Sequence, residues 1–364
     1  MISVVYFNQW FSSIAPVIAD IKQKMGNSVK IIASSKNPEH AYKDVVDEFI
    51  VEDWEEGETS ENTERNYINF CINICKQYNV DYFFVKKNAK LVAKNSSYFS
   101  KLGVKLVLND YSVIDKTESK GNVYRTLEKE LKDSYNYLIP EYYQYGTDKN
   151  CELDYAKLKD IIHRCESEDW CLKLDKDEGG ASFRKIKNLP VTIDTLSKFR
   201  VNEITIKELY NLINSVGTES LKKLLFMEML DEPEISVDCY NSKYGFISIC
   251  REKLPNSRVQ RIYFDEEMAF ICRRICNIYG FNYPFNVQFR VKQGGDRKNI
   301  RDLRLLEINP RMSGGTYYST LYDMNIAEQV LRDEMGISKP SDFSKFIDFT
   351  DKRVTFVEQA IKLD

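Results

Sequence analysis

The chain has 364 residues, of which 43% are hydrophobic and 29% are charged, and its formal net charge is −3. This length allows two or three domains with cores of their own, and the composition is ordinary for a globular protein. The net charge gives no overall attraction to nucleic acid or to an anionic membrane. No apolar run approaches the about 20 residues that a membrane helix needs, and the first residues lack the basic region of a signal peptide. We therefore expect a cytoplasmic protein that binds neither nucleic acid nor a membrane.

Nine cysteines and two histidines limit the available chemistry. The pairs Cys71/Cys75 and Cys272/Cys276 have a spacing seen in metal sites, but no C-x-x-C occurs, so a zinc site is disfavoured. The shortage of histidine also argues against a Ser-His-Asp or Cys-His catalytic apparatus. We expect reduced, buried cysteines that act as small hydrophobic residues.

Strand and helix signals alternate over roughly the first hundred residues. Such alternation predicts a parallel sheet covered by helices. The loop after the first strand has no glycine-rich fingerprint, so a dinucleotide site is disfavoured there, although strand-end loops such as 7–11 stay candidates for a substrate wall. The predicted strands cover residues 2–6, 29–33, 82–85 and 104–108, and the predicted helices cover 12–24, 66–78 and 90–102.

Short strands dominate beyond residue 110, with helices between them. Runs of strands with interspersed helices are typical of an α+β module with antiparallel sheet. We therefore expect an α/β parallel-sheet domain followed by an α+β region. The predicted strands cover 170–174, 182–186, 224–230, 234–240, 245–252, 287–291 and 303–309, and the predicted helices cover 122–133, 152–164, 204–216 and 266–280.

The most informative motif is a strand that carries a carboxylate, an amide and a guanidinium on alternate residues. Alternate residues of a strand share a face, so Glu307, Asn309 and Arg311 are predicted to point into one cleft, with Pro310 ending the strand. Carboxylate and amide oxygens suit Mg²⁺, and an arginine beside them suits a polyphosphate or a developing anion. The alternative is an edge strand with a polar face that ends in a Gly-Gly turn.

A second segment places Lys173 on a strand that leads directly into the polar loop 175–182. Small residues such as Gly179 and Gly180 let backbone amides approach a phosphate closely, and the lysine adds a positive charge beside it. The alternative is a plain hairpin, because a strand, a Gly-Gly turn and a second strand also fit this pattern.

Two further strands carry polar residues that suit a nucleotide. An apolar strand leads to Glu228, breaks near Pro233 and resumes at Glu234. Extended backbone at such a break can offer an N–H and a C=O to a purine edge, and a carboxylate can accept both ribose hydroxyls. The strand with Gln288 is predicted to run beside the Glu307 strand, which places Gln288 near the metal.

Together these segments resemble the ATP-grasp superfamily, and within it the branch of the carbamoyl-phosphate synthase large subunit and related carboxylate–amine ligases. The resemblance implies an N-terminal α/β domain over residues 1–110, a helical linker with a lid subdomain over 111–232, and a C-terminal grasp subdomain with antiparallel sheet over 233–364. Its most specific elements are Gln288 with the later run Glu307-x-Asn309-x-Arg311-Met312-Ser313-Gly314-Gly315, and the pattern from Met227 to Asp238.

The resemblance also implies which residues hold the ATP phosphates. Lys173 is one basic contact, and Lys116 is the other, with Lys120 as its alternative. The basic stretch 251–261 is predicted either to line the anion-binding cleft or to be surface charge. The flap that covers the phosphates is implied to contain Gly179, Gly180 and Ser182.

The remaining site residues follow from the same resemblance. Glu228 and Leu230 resemble the adenine-binding hinge, and Glu234 resembles the ribose ligand. Arg311 resembles the residue that steadies the transferred phosphoryl group and the acyl phosphate. The implied metal ligands are Gln288, Glu307 and Asn309.

The implied activity is that of an ADP-forming ligase that uses ATP with Mg²⁺, or Mn²⁺ as an alternative. ATP converts a small carboxylate into an acyl phosphate, and an amine or similar nucleophile then displaces phosphate. Arg311 and Lys173 would stabilise the charge that spreads in the transition state. Two other functions stay open: a grasp-fold small-molecule kinase and a non-catalytic ATP-binding regulatory protein. The motifs name neither substrate, and they leave the oligomeric state open, with a homodimer as one option.

Overall fold

The computed structural model of the chain describes residues 2–146, 151–177, 180–188, 202–255 and 257–355. It consists of two compact units. The first comprises Met1–Lys116, Ile235–Val287 and Asn309–Asp364, and the second comprises Thr117–Glu234 and Gln288–Ile308. The division into three domains at residues 110 and 232 stays a prediction.

The N-terminal part of the first unit is a five-stranded sheet in the order β3-β2-β1-β4-β5. Its described pairings are all parallel, which confirms the prediction from the alternating pattern. The strands are β1 Ser3–Asn8, β2 Val29–Ser35, β3 Glu48–Val51, β4 Tyr82–Phe84 and β5 Lys105–Val107, and the helices are Ala15–Met25, Ser60–Tyr78, Ala89–Lys94, Ser96–Ser100 and Tyr111–Glu118.

One helix prediction in this region is wrong. Residues 90–102 form two short helices, Ala89–Lys94 and Ser96–Ser100, which are separated at Asn95. The Asn95 side chain donates a hydrogen bond to the Leu91 carbonyl at 2.9 Å. Asparagine side chains compete with the helix for backbone partners in this way, so the apolar period alone overestimates the length of the helix.

The second unit contains a mixed five-stranded sheet in the order β6-β10-β7-β8-β9. Only β8 and β9 pair in parallel among its described pairings. The predicted strand 182–186 begins later, so Ser182 lies in the preceding turn. The strands are β6 Tyr142–Gln144, β7 Trp170–Leu174, β8 Arg184–Lys187, β9 Glu203–Thr205 and β10 Leu224–Glu228, and the described helices are Lys120–Tyr135, Cys151–Arg164, Ile206–Ser215 and Thr218–Leu221.

The third sheet has six strands in the order β15-β14-β11-β12-β13-β16. Strand β12 pairs with β11 and β13, and β13 pairs with β16, all antiparallel, as predicted. The predicted break near Pro233 is wrong, because the strand is continuous there and the interruption falls at Met229. The strands are β11 Leu230–Ser242, β12 Gly245–Lys253, β13 Val259–Tyr263, β14 Phe285–Lys292, β15 Leu303–Asn309 and β16 Lys352–Thr355, and the helices are Glu266–Tyr279, Tyr317–Thr320, Ile326–Glu334 and Pro340–Ser344.

Two further properties bear on the sequence predictions. The eight cysteines whose side chains are described are buried and reduced, which confirms their expected role as small core residues. Across the described ranges, none of the helices combines the length and the apolar character needed to cross a membrane.

Candidate functional site

Two buried lysines and a glutamate lie close together in the second unit. Lys173, on β7, is 6% exposed, and Lys120, the first residue of its helix, is 8% exposed. The Lys120 Nζ atom lies 3.8 Å from a Glu307 carboxylate oxygen and donates a hydrogen bond to the Asp177 carbonyl at 2.7 Å. The structure therefore gathers charged groups from three distant segments of the chain.

The Lys173 ammonium has an unusual environment. Its Nζ atom lies 3.4 Å from Met227 Sδ on β10, and a thioether is a weak acceptor. The pKa of Lys173 is lowered to about 8, mainly by burial and in part by the positive charge of Lys120, while Cys171 and Glu307 oppose the shift. A buried ammonium against a thioether fits an anionic ligand such as a phosphate, since charge-assisted hydrogen bonds to phosphate would compensate for its lost hydration.

Buried polar contacts fix the backbone around these groups. Asp175 Oδ1 accepts a hydrogen bond from the Gly121 N–H at 2.8 Å, which ties the end of β7 to the start of the Lys120 helix. The Tyr124 hydroxyl donates to the Leu306 carbonyl at 2.8 Å, one residue before Glu307. Burial raises the Tyr124 pKa well above its ordinary value, so the hydroxyl stays a donor. Both lysines and Glu307 therefore sit on backbone that is held in place.

The Glu228 side chain is occupied by contacts within the second unit. Its carboxylate accepts a hydrogen bond from the Glu141 N–H at 2.9 Å and lies 3.5 Å from Arg304 Nε. The Glu228 N–H donates to the Glu141 carbonyl at 2.9 Å. These contacts anchor the end of β10 and engage both the carboxylate and the N–H of Glu228, so the hinge prediction for Glu228 concerns its backbone carbonyl.

The other hinge and ribose candidates lie at the start of β11. Leu230 is buried, and its carbonyl accepts a hydrogen bond from Arg290 Nη1 at 3.4 Å. Arg290 Nε also lies 3.9 Å from a Glu234 carboxylate oxygen. Arg290 on β14 therefore links the predicted adenine hinge to the predicted ribose ligand, a role that the sequence did not indicate.

The candidate metal ligands lie on adjacent strands. Gln288, on β14, and Glu307, on β15, are both half-buried in the second unit. Asn309 follows two residues after Glu307 on the same strand. No group of three or more His, Cys, Asp or Glu side chains is placed to hold a metal within the described ranges. Mg²⁺ is commonly held by one or two carboxylates with substrate phosphates, so this donor set fits Mg²⁺ bound with a nucleotide.

The predicted phosphate flap is described in part. Gly179 lies outside the described residues. Gly180 has a left-handed φ of 70°, which favours glycine. The N–H and hydroxyl of Ser182 donate to the Asp177 carboxylate at 2.8 and 2.5 Å, and its hydroxyl accepts from the Leu174 N–H at 2.8 Å. These contacts tie Ser182 to Asp177 and to the end of β7.

The other predicted site residues belong to the first unit. Lys116 is exposed on the helix Tyr111–Glu118, so its burial differs from that of Lys120. Arg311 lies with its guanidinium carbon 5.8 Å from the centre of the Phe11 ring and donates from Nη1 to the Met312 carbonyl at 3.2 Å. The assignment of Lys116 to a phosphate stays a prediction.

Asn109 anchors the segment that carries Arg311. Asn109 is 1% exposed and follows β5 by two residues. Its Nδ2 donates to the Pro310 carbonyl at 3.0 Å, and its Oδ1 accepts from the N–H groups of Asn282 and Tyr283, both at 3.0 Å. The chain immediately before Arg311 is therefore fixed by a buried side chain.

Arg251 anchors the same segment from its other end. The surface-charge alternative is wrong for this residue because it is buried, and the lining of an anion-binding cleft by the stretch 251–261 stays a prediction. Arg251 is only 3% exposed, and its guanidinium donates to Asp238 and to the Ser313 hydroxyl, both at 2.7 Å. A Cβ at Gly315 would overlap this guanidinium. The arrangement follows from the pairing of β11 with β12, which sets Ser236 opposite Arg251. Sequence reasoning could have found it only by predicting that register.

The fold is similar to the ATP-grasp fold, and the motifs resemble those of the same superfamily. Residues 220–358 match the model of a family described as ATP-grasp in the biosynthetic pathway with Ter operon. No curated protein sequence shows significant similarity to the chain. Solved structures, in contrast, match nearly all of it, and they have the ATP-grasp fold.

Three of these structures illustrate the likeness. The biotin carboxylase domain of a 2-oxoglutarate carboxylase from Hydrogenobacter thermophilus, solved as a dimer with MgADP, ADP and bicarbonate, is 15% identical with a TM-score of 0.60 and covers 94% of this chain and 72% of its own. N5-carboxyaminoimidazole synthetase from Staphylococcus aureus is 14% identical with a TM-score of 0.61, and the match covers 93% of this chain and 78% of that protein. N5-carboxyaminoimidazole ribonucleotide synthetase from Thermotoga maritima is 15% identical with a TM-score of 0.55, and the match covers 93% of this chain and 77% of that protein. These matches confirm the fold that the resemblance implied.

Proposed function

We propose that this protein is an ATP-dependent, ADP-forming ligase that activates a small carboxylate as an acyl phosphate and joins it to an amine or a similar nucleophile. The observation that carries this proposal is the environment of Lys173, a buried ammonium that has a thioether as its described acceptor and lies in the field of Lys120 and Glu307. Burying an ammonium in a protein core costs free energy. Charge-assisted hydrogen bonds to a polyphosphate would offset that cost.

The nucleotide would be bound mainly by residues of the second unit. Lys173 would hold phosphate oxygens, and we propose Lys120 rather than the exposed Lys116 as the second lysine, because Lys120 is buried beside Glu307. Backbone groups of Glu228 and Leu230 would bind the adenine edge. The proposed ribose ligand is Glu234, and the proposed flap contacts are Gly179, Gly180 and Ser182.

Metal binding is proposed for the polar residues of β14 and β15. Gln288, Glu307 and Asn309 would hold Mg²⁺, and bound Mg²⁺ would neutralise charge on the β and γ phosphate oxygens. Mn²⁺ is an alternative to Mg²⁺. Arg311 would stabilise the equatorial oxygens of the transferred phosphoryl group, because its planar fork matches them and the neighbouring residues Pro310 and Ser313 are held by Asn109 and Arg251.

The chemistry needs little acid–base catalysis. A carboxylate oxygen attacks the γ-phosphorus of ATP, the bond from that phosphorus to the β,γ-bridging oxygen breaks, and ADP leaves. The amine then attacks the acyl carbon, the acyl–oxygen bond breaks, and inorganic phosphate leaves with the proton that the amine loses. Positioning and charge stabilisation carry most of such a reaction, in agreement with a chain that has only two histidines.

The test is an ADP-release screen with Mg²⁺-ATP. Small carboxylates, including bicarbonate and amino acids, are offered alone and in pairs with amines. We expect ADP release that needs both partners, and one ¹⁸O atom from a labelled carboxylate in the released phosphate. A stable phosphorylated product without an amine would indicate the kinase instead. ATP binding without ADP release for any pair would indicate the regulatory protein.

A further inference from the structure

An aromatic ring of the first unit lies next to two cations. Phe11, three residues after β1, is 42% exposed. The Lys86 Nζ atom lies 4.6 Å from the centre of its ring, and the Arg311 guanidinium carbon lies 5.8 Å from it. Cations are attracted to an aromatic face, but two like charges on one ring repel each other. An anionic group bound here would be attracted by both cations.

The position of this group in the parallel sheet favours a ligand. In the order β3-β2-β1-β4-β5, the chain runs outward from β1 on one side and then crosses to β4 on the other side. The topology therefore reverses between β1 and β4. Ligands of open parallel sheets bind in the crevice beyond the carboxyl ends of the strands at such a reversal. Phe11 follows β1 and Lys86 follows β4, so both flank this crevice.

Buried side chains join the two strand ends and fix the backbone of Lys86. Asn8, the last residue of β1, is fully buried, and its Oδ1 accepts a hydrogen bond from the Lys86 N–H at 2.7 Å. Its Nδ2 donates to the Lys87 carbonyl at 3.0 Å. Trp10 Nε1 donates to the Phe84 carbonyl, also at 3.0 Å. These hydrogen bonds hold the ends of β1 and β4 together at the crevice.

The segment around Gly314, which packs against Phe11, is fixed as well. The Ser13 hydroxyl donates to the Gly314 carbonyl at 2.7 Å. An ideal Cβ built on Gly314 would lie 3.2 Å from the Phe11 ring, so the ring packs closely on that glycine. Asn109 and Arg251 hold the chain on either side of Arg311, as described above. Phe11 therefore keeps its position relative to Arg311, with part of its ring open to solvent.

We propose that Lys86 and Phe11 form the subsite for the acid substrate, with Lys86 binding a carboxylate group and the exposed Phe11 ring contacting an apolar body. The substrate class is then a small carboxylic acid with an aliphatic or aromatic side group. This inference rests on the proposed ligase function and adds the residues that select the acid. Arg311 keeps its separate role toward the phosphoryl group.

The test compares three single variants of the full chain. Lys86→Gln removes the cation, Phe11→Leu removes the ring, and Lys87→Gln is the matched control, because Lys87 is an exposed neighbouring lysine. Calorimetry measures binding of a panel of small mono- and dicarboxylates with aliphatic and aromatic bodies. Binding of Mg²⁺-ATP is measured in parallel, and thermal melts report on folding.

We expect the wild type to bind at least one acid of the panel. Lys86→Gln and Phe11→Leu should weaken that binding by at least about tenfold, because each loses a direct contact, while Lys87→Gln stays at the wild-type value. All three variants should bind Mg²⁺-ATP as the wild type does. Carboxylate binding equal to wild type in Lys86→Gln, or no acid bound by the wild type, would overturn the subsite. Carboxylate binding without ADP release for any pair would instead contradict the ligase function and leave the subsite standing.

Discussion

Lys173 Nζ lies 3.4 Å from Met227 Sδ, in a contact that runs diagonally between the neighbouring strands β7 and β10. The register of this pair sets Cys171 opposite Met227 and Leu225 opposite Lys173, so Met227 and Lys173 share one face of the sheet. Such diagonal neighbours lie within reach of long side chains. The sheet thus holds an ammonium in its interior, close to the charges of Lys120 and Glu307.

Lys173→Met should separate nucleotide binding from folding. Methionine keeps the apolar volume and removes the buried charge, so the variant should be at least as stable as the wild type in denaturant unfolding without nucleotide. Its affinity for Mg²⁺-ATP should fall by about 10-fold to 150-fold, which corresponds to a charge-assisted hydrogen bond of about 1.5–3 kcal/mol. Lys185→Met is the control, because Lys185 is a less buried lysine on β8 of the same sheet. Wild-type ATP affinity in Lys173→Met would exclude Lys173 as a phosphate contact.

The lowered pKa of Lys173 predicts how stability depends on pH. The folded state releases this proton near pH 8, whereas the ordinary value is 10.5, so between these values the unfolded chain binds more protons than the folded one. Stability attributable to Lys173 therefore rises with pH through this window, and the cost of the buried ammonium is fully present below it. From about pH 7.5 to about pH 9.5, the wild type should gain about 2 kcal/mol of unfolding free energy relative to Lys173→Met. A constant difference across this range would show that the ammonium is not buried.

Arg251 should be among the most sensitive positions in the first unit. Arg251→Met leaves the Asp238 carboxylate buried without its cation, and breaking such a pair costs about 3–5 kcal/mol. Arg261→Met is the matched control on the neighbouring strand. Arg261 pairs with Asp351 at the surface, where an ion pair contributes less than about 1 kcal/mol. Denaturant unfolding of both variants gives the comparison, and equal effects would contradict the buried network.

Ser313→Ala tests whether that network also positions Arg311. It removes the hydroxyl that accepts from Arg251 at 2.7 Å and leaves the Arg251–Asp238 pair in place. We expect a loss of about 0.5–1.5 kcal/mol in stability, with a larger effect on ADP-release rate than on ATP affinity. Gln260→Ala is the control, since Gln260 lies on β13 and accepts from Arg251 Nη1 at 3.2 Å, whereas Ser313 accepts from Nη2. An equal loss of rate in Gln260→Ala would reduce the network to a structural role.

The sequence predicted the parts of the site that lie within single strands. The β15 strand was predicted with its observed ends because its alternating pattern and Pro310 fix both its period and its end. Lys173 was named from a strand and the loop that follows it, which are also local signals. The position of Lys120 beside Glu307 could not be predicted, because it depends on packing between segments that are far apart in the chain.

The same reason explains why the buried network of Arg251 and the anchoring role of Asn109 were not predicted. A lone arginine in a basic stretch is typical of a surface, and only the register of β11 with β12 places Arg251 among Asp238 and Ser236. Asn109 binds backbone groups more than 170 positions away along the chain. Side-chain bonds to distant backbone leave no periodic trace in a sequence.

The most direct test of the central claim is ADP release by Glu307→Gln. The substitution is nearly isosteric, so the thermal melt without nucleotide should stay close to that of the wild type. It removes the carboxylate that is proposed to hold Mg²⁺ and that faces Lys120. With the best carboxylate and amine pair from the screen, turnover should fall by at least about 100-fold, because a catalytic metal contributes several kcal/mol to the transition state. Full turnover in Glu307→Gln would contradict the catalytic role of the β15 motif and the ligase mechanism built on it.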